Sequence, residues 1–164
     1  MLPKEEELSH TDVRNVGSLA DILKLGRLAG VGVGSSRQEV RAAFGEPEAW
    51  ILSDEPRSVL LVDESRWWRY GVIQVFFDRD EVRGLTVAWP LPRYTLPVGF
   101  EVADLPPSPP TWDDFYEYLQ RQHIDEDIQS ESMGTSGWVR MMLPSGVKLV
   151  AGKTLISISV SRID

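Results

Sequence analysis

Seven of the chain's eleven prolines stand between residues 90 and 110, at positions 90, 92, 97, 106, 107, 109 and 110. Proline has no N–H for a ladder and its ring clashes with a preceding helical turn, so this density excludes a central strand and a helix interior. The stretch is an extended crossing segment that divides the 164 residues into two halves. The expected organisation is a flexible arm over 1–17, a first α+β unit over 18–89, the crossing over 90–110 and a second α+β unit over 111–164 that shares one sheet with the first.

The best-punctuated element lies in the first half. Ser36 can cap a helix, Glu39 three residues on completes a capping box, and Val40, Ala43 and Phe44 fall on one face. Gly45 supplies a left-handed end and Pro47 forbids continuation. A shorter helix is expected over Leu19, Ala20, Ile22, Leu23 and Leu25, opened by Ser18 with Asp21 and closed by Gly26. Between the two helices, Leu28 to Gly34 reads as a short strand or a tight entry to the second. Further on, Ala49–Leu52, Val59–Val62 and Arg66–Tyr70 are extended, and 71–77 with 82–89 alternate at period two around the polar turn 78–81. That is a hairpin, with Ile73, Val75 and Phe77 on one face and Leu85, Val87 and Trp89 on one face of the returning strand.

Beyond the prolines, Thr111 can cap a helix carrying Trp112, Phe115, Tyr116, Leu119 and His123 on an apolar stripe, with Asp113, Asp114 and Glu117 toward solvent. Acids in the first turn also suit the positive end of the helix dipole. Polar residues 125–136 lead into strands at 137–143, 147–150 and 155–161, the last with Ile156, Ile158 and Val160 inward and three serines outward. The halves share an order of capped helix, irregular stretch, aromatic-bearing strand and Gly-Val-initiated hairpin. Gly71-Val-Ile-Gln-Val with Leu85-Thr-Val matches Gly146-Val-Lys-Leu-Val with Ile158-Ser-Val. The fold class is α+β: an antiparallel sheet with helices packed on one face, in two tandem helix-plus-β-meander units.

Residues 34–47, Trp68-Arg-Tyr70 and Val75-Phe-Phe-Asp-Arg-Asp-Glu-Val82 carry a family likeness. Over about residues 30–88 the chain resembles the β-lactamase inhibitory protein and small outer-membrane lipoprotein (SmpA/OmlA) superfamily, in which a capped helix ends in Gly-x-Pro, a Trp/Tyr strand follows and a Phe-Asp hairpin closes the unit. The resemblance implies an α+β unit of that kind. The chain departs from the lipoprotein branch in having no cysteine to bear a lipid, and its polar opening residues lead to the expectation of no signal peptide and a cytoplasmic location.

Chemistry is sparse. With no cysteine and two histidines, thiol catalysis and Cys-ligated metals are excluded, and no Gly-x-Ser-x-Gly elbow is present. The run Gly30-Val-Gly-Val-Gly34 lacks the Lys-Ser/Thr of a phosphate loop. The carboxylates Asp78, Asp80 and Glu81, and Asp125, Glu126 and Asp127, lack EF-hand spacing and read as solvated turns. No catalytic residue, cofactor or metal is expected. A formal charge of −8, from 17 Lys+Arg against 25 Asp+Glu, repels nucleic acid and anionic membranes. What the pattern offers is recognition. Trp67 and Arg69 alternate with Trp68 and Tyr70 and face away from the core or against a covering loop, and Asp113, Asp114 and Glu117 form an acidic rim. The expected function is a non-enzymatic domain binding a protein, basic by charge complementarity, as an inhibitor or immunity-type protein does. Two alternatives stay open: a small-molecule-binding or weakly catalytic domain, and a self-associating module that dimerises through its aromatics.

Overall fold

The alternating runs pair into a seven-stranded antiparallel sheet with three helices against one side. The computed structural model describes residues 15–50, 61–88, 100–106, 108–135 and 137–162. Strand β1 (Asn15–Ser18) leads into helix α1 (Leu19–Leu25). A minimal hairpin of β2 (Arg27–Leu28) and β3 (Val31–Gly32) precedes α2 (Arg37–Phe44), and a 3-10 turn at Val62–Glu64 leads to β4 (Trp67–Tyr70), β5 (Ile73–Asp78) and β6 (Glu81–Ala88). Then come β7 (Phe100–Ala103), α3 (Trp112–Arg121), β8 (Gln129–Ser132), β9 (Val139–Met142), β10 (Lys148–Ala151) and β11 (Leu155–Ser161). The main sheet has the order β4-β5-β6-β11-β10-β9-β8, so two meanders meet through their last strands.

Where they meet, Leu85 lies opposite Val160, Thr86 opposite Ser159, and Val87 opposite Ile158. These are the two matching tripeptides of the repeat, and their register is the one a two-fold axis through the Thr86–Ser159 pair would produce. The helices obey the same relation. The Arg37 N–H donates to the Asp80 carbonyl and the Trp112 N–H to the Lys153 carbonyl, at 3.0 and 3.1 Å. Ser36 bridges Glu81, and Thr111 bridges Thr154. Each unit thus ties its helix cap to the start of its own final strand. Both hairpins also break register at the same place, between Phe76 and Phe77 and between Val150 and Ala151.

The caps explain why the helices begin where they do. Ser36 Oγ accepts from the Glu39 N–H while Glu39 accepts from the Ser36 N–H at 2.6 Å, the reciprocal box expected from the spacing. Thr111 accepts from the Asp114 N–H. Ser18 differs from expectation: it occupies the cap position of α1 without a side-chain bond. Gly26 ends α1 with φ +65, and a Cβ there would stand 3.2 Å from Val160 Cγ2, so conformation and packing both demand glycine. Gly45 ends α2 at φ +81 and ψ −158, which is outside the left-handed helical basin and open almost solely to glycine. That bend brings its carbonyl to the Tyr70 hydroxyl, which donates to it at 3.0 Å.

A single core fills the space between helices and sheet: Leu19, Ile22 and Leu23 of α1, Val40 and Phe44 of α2, and Phe115 and Leu119 of α3 lie over Trp68, Tyr70, Val75, Leu85, Leu149 and Ile158. At about 1.5–3 kcal/mol for each fully buried large apolar side chain, this layer supplies the main stabilising term.

Several expectations shift. Residues 15–17, assigned to the flexible arm, form β1 with Ser18. That strand pairs in parallel with β7, a short strand placed within the proline-rich crossing between Pro97 and Pro106. The polar stretch at 125–136 contains β8, an edge strand exposed at every position. Val62, expected in a strand, belongs to the 3-10 turn, and Ala49 makes only an isolated bridge to Arg69. His123 is not on the helical stripe; it follows α3 in the turn, exposed, at φ +55. Residues 1–14, 51–60 and Trp89 lie outside the described residues, as does the side chain of Ile156.

Candidate functional site

Period two along β4 sends Trp68 and Tyr70 into the core and Trp67 and Arg69 to the helix-free face. Trp67 is only 8% exposed, and its indole N–H donates to Gln74 Oε1 at 3.2 Å, so its ring is not a free surface anchor. Arg69 is exposed, with its backbone tied to Glu48 and Ala49. Across this face run Arg69, Gln74, Thr86, Ser159, Lys148 and Met142, a largely polar row. Asp113, Asp114 and Glu117 are exposed on α3, on the opposite side of the sheet. The expected aromatic strand with an acidic rim is therefore not one surface. The sheet separates Trp67 and Arg69 from the three acids, because α3 follows its apolar stripe onto the core side.

The acids have different neighbours. Residues 104–131 hold eight carboxylates against Arg121 alone, a net −7 of the chain's −8. Seven of the eight are exposed and Asp125 is half-buried. Asp125 is also the one that enters a cleft of about 410 Å³ between α3 and the β8–β10 end of the sheet. Trp112 and Tyr116, one helical turn apart with ring centroids 6.0 Å from each other, form one wall; Met141, Ala151 and Ser130 line it from the sheet. Asp113 and Glu117 make the adjoining stripe of the helix. At the rim Trp138 lies over Gly152, where a Cβ would come within 3.1 Å of the indole.

In the first unit the corresponding place is filled. Arg37 sets its guanidinium 4.1 Å above the Phe77 ring and 5.1 Å from Trp68, and Arg41 lies 4.8 Å from Trp68 on the same ring system. Trp68 meets Phe77 edge-on at 4.6 Å. Arg37 donates twice to the Arg79 carbonyl and pairs with Asp80 at 3.4 Å; Arg41 pairs with Asp63 at 2.6 Å and Glu46 at 3.0 Å. Burial, the largest influence, pulls the Arg37 guanidinium below its usual pKa against the pull of Asp80. This stack is built into the fold rather than offered to a ligand.

Among the described residues no three His, Asp or Glu side chains converge as metal ligands, and no helix is long and apolar enough to cross a membrane. The turn carboxylates Asp78, Asp80 and Glu81 are exposed. Comparison with protein-family models, with curated proteins and with solved structures finds no match to this chain. The cleft had no signature in the sequence: Trp112 and Tyr116 looked like core, and Asp125 like a solvated turn.

Proposed function

We propose that this is a non-enzymatic protein-binding domain that engages a basic partner through the α3 side of the molecule, and that it acts by occupying the partner's cationic surface, as an inhibitor or immunity-type protein does. The supporting observation is the placement of charge: a net −7 gathers in residues 104–131, where it borders an aromatic-walled cleft instead of spreading over the surface. A one-signed field of this kind steers association with an oppositely charged protein and raises its rate at low salt. Within this reading Asp113, Asp114 and Glu117 act together with Asp125, while Trp67 and Arg69 belong to the other face of the sheet.

The test is to capture a basic partner on the immobilised full chain at low salt and measure association of the purified pair. The rate should fall steeply with ionic strength and drop in the Asp113→Asn, Asp114→Asn, Glu117→Gln triple variant. A rate indifferent to both, or recovery of neutral and acidic proteins only, refutes the assignment.

A further inference from the structure

The two-fold relation between the units gives the cleft a counterpart of known content. Aligning the helix caps Ser36 and Thr111 sets Arg37 beside Trp112 and Arg41 beside Tyr116, with the buried pairs Val40 and Phe44 matching Phe115 and Leu119. On the sheet, Leu85 corresponds to Ile158; their neighbours Val75 and Leu149 correspond, and the next strands give Trp68 and Met141. Two residues beyond Val75 and Leu149, at the shared register break, stand Phe77 and Ala151. In the first unit, then, aromatic rings rise from the sheet and two guanidinium groups from the helix cover them. In the second, the rings come from the helix, the sheet positions have shrunk to Met141 and Ala151, and among the described residues no cation lines the space between. Trp112, Tyr116, Met141 and Ala151 all line the cleft, and a carboxylate, Asp125, lines it with them.

We propose that the cleft receives an arginine side chain of the basic partner, its guanidinium against the Trp112 and Tyr116 rings and paired with Asp125. This rests on the reading of the α3 side as the partner-binding surface. The chemistry is that of the first unit with the donor of the cation moved to another molecule. A planar guanidinium stacks on aromatic faces and forms paired hydrogen bonds with a carboxylate, which a compact ammonium cannot reproduce. The surrounding acids concentrate cationic side chains at the opening, and the half-buried Asp125 selects among them.

The probe is the tripeptide acetyl-Ala-Arg-Ala-amide, titrated into the full chain at low salt and followed by NMR at the Trp112 indole N–H and the Met141 methyl. Its citrulline and lysine counterparts serve as the neutral isostere and the alternative cation. The arginine peptide should shift these signals with a millimolar Kd, the citrulline peptide should bind about tenfold or more weakly, and the lysine peptide should fall between them. Asp125→Asn should weaken arginine binding about tenfold. Ser130→Phe, which fills the cleft from an exposed edge position, should abolish it while the thermal midpoint is retained. The proposal is overturned if citrulline binds as well as arginine, if Ser130→Phe binds as wild type does, or if no shift appears at these signals by about 10 mM peptide, a ceiling on affinity of roughly 3 kcal/mol. The two failures separate cleanly. Should Ser130→Phe leave association with the captured partner unchanged while the triple carboxylate variant slows it, the arginine cleft falls and the charge-based surface stands; should the triple variant have no effect either, both fall.

Discussion

Replacing Arg37 separates what its charge contributes from what its stem contributes. The residue is 8% exposed, and its guanidinium sits 4.1 Å over Phe77 while donating twice to the Arg79 carbonyl. Cation–π contact supplies about 1–2 kcal/mol when desolvated, and hydrogen bonds from a charged donor about 1.5–3 kcal/mol. Against these stands the cost of desolvating the ion, the largest influence on its pKa. Asp80 returns little, being 89% exposed, and such pairs give about 0–1 kcal/mol. The charge-dependent terms therefore nearly cancel, leaving about 1 kcal/mol. The stem does not cancel: three buried methylene-sized groups at about 0.8 kcal/mol each amount to roughly 2.4 kcal/mol.

Arg37→Met keeps an unbranched stem of similar length and should lose about 1 kcal/mol in urea unfolding. Arg37→Ala loses the stem as well and should cost about 3 kcal/mol, and Asp80→Asn should stay within about 0.5 kcal/mol of wild type. If Met proves as damaging as Ala, the guanidinium's bonds dominate and the reasoning is refuted; if Asp80→Asn exceeds Arg37→Met, the surface ion pair has been undervalued.

Removing either cap, by Ser36→Ala or Thr111→Ala, should cost about 1 kcal/mol in the same assay. Gly26→Ala should cost about 1–2 kcal/mol, since alanine must adopt φ +65 and bring its Cβ to 3.2 Å from Val160, and the loss should appear as a lower thermal midpoint. Tyr118 has a buried hydroxyl without a hydrogen-bond partner among the described residues, so Tyr118→Phe should gain about 1 kcal/mol at neutral pH. Burial raises the Tyr70 pKa and pushes that of Tyr118 up to about 12. The unfolded chain thus releases protons above pH ~10 that the folded chain keeps, and stability should fall as pH rises from there through 12; circular dichroism along an alkaline titration measures this, with a smaller fall expected in Tyr118→Phe.

The parts of the fold legible in the sequence are those where local chemistry and tertiary demand agree. Ser36, Glu39, Gly45 and Pro47 bound α2, and β5, β6 and β11 alternate because one face is buried by helices and the other is not. Strand β8 was illegible for the converse reason: Gln-Ser-Glu-Ser is exposed throughout, so burial imposes no apolar period on it, and its strand character comes only from pairing with β9. The β1–β7 pair is parallel and joins segments far apart in sequence, which no local pattern announces. Trp67 stayed open between two readings because alternation fixes the face on which a side chain lies but not whether that face is covered; its burial fits the covered one. His123 misled because helix α3 stops at Arg121, two residues before it. The cleft emerges only from pairing the units position by position, since the absence it depends on is measured against Phe77 and Trp68 in the other half.

That pairing also says how one architecture carries two tasks. Val40 and Phe44 in one unit, and Phe115 and Leu119 in the other, hold the helices on the sheet in the same way, so the layer itself is secured twice. The positions beside them are released from that duty. In the first unit they were spent on a closed stack in which each guanidinium finds rings and carboxylates within its own half. In the second the rings stand on the helix with a carboxylate beside them, and among the described residues no cation lines the cleft. Substitutions around Trp68, Phe77 and Arg37 should therefore move the unfolding midpoint and leave association with a basic partner nearly untouched. Substitutions at Tyr116, Asp125 and Ser130 should do the reverse. A Tyr116→Ala variant that destabilises the fold as much as Arg37→Ala would contradict this division, because Tyr116 is 37% exposed and its removal opens no core cavity.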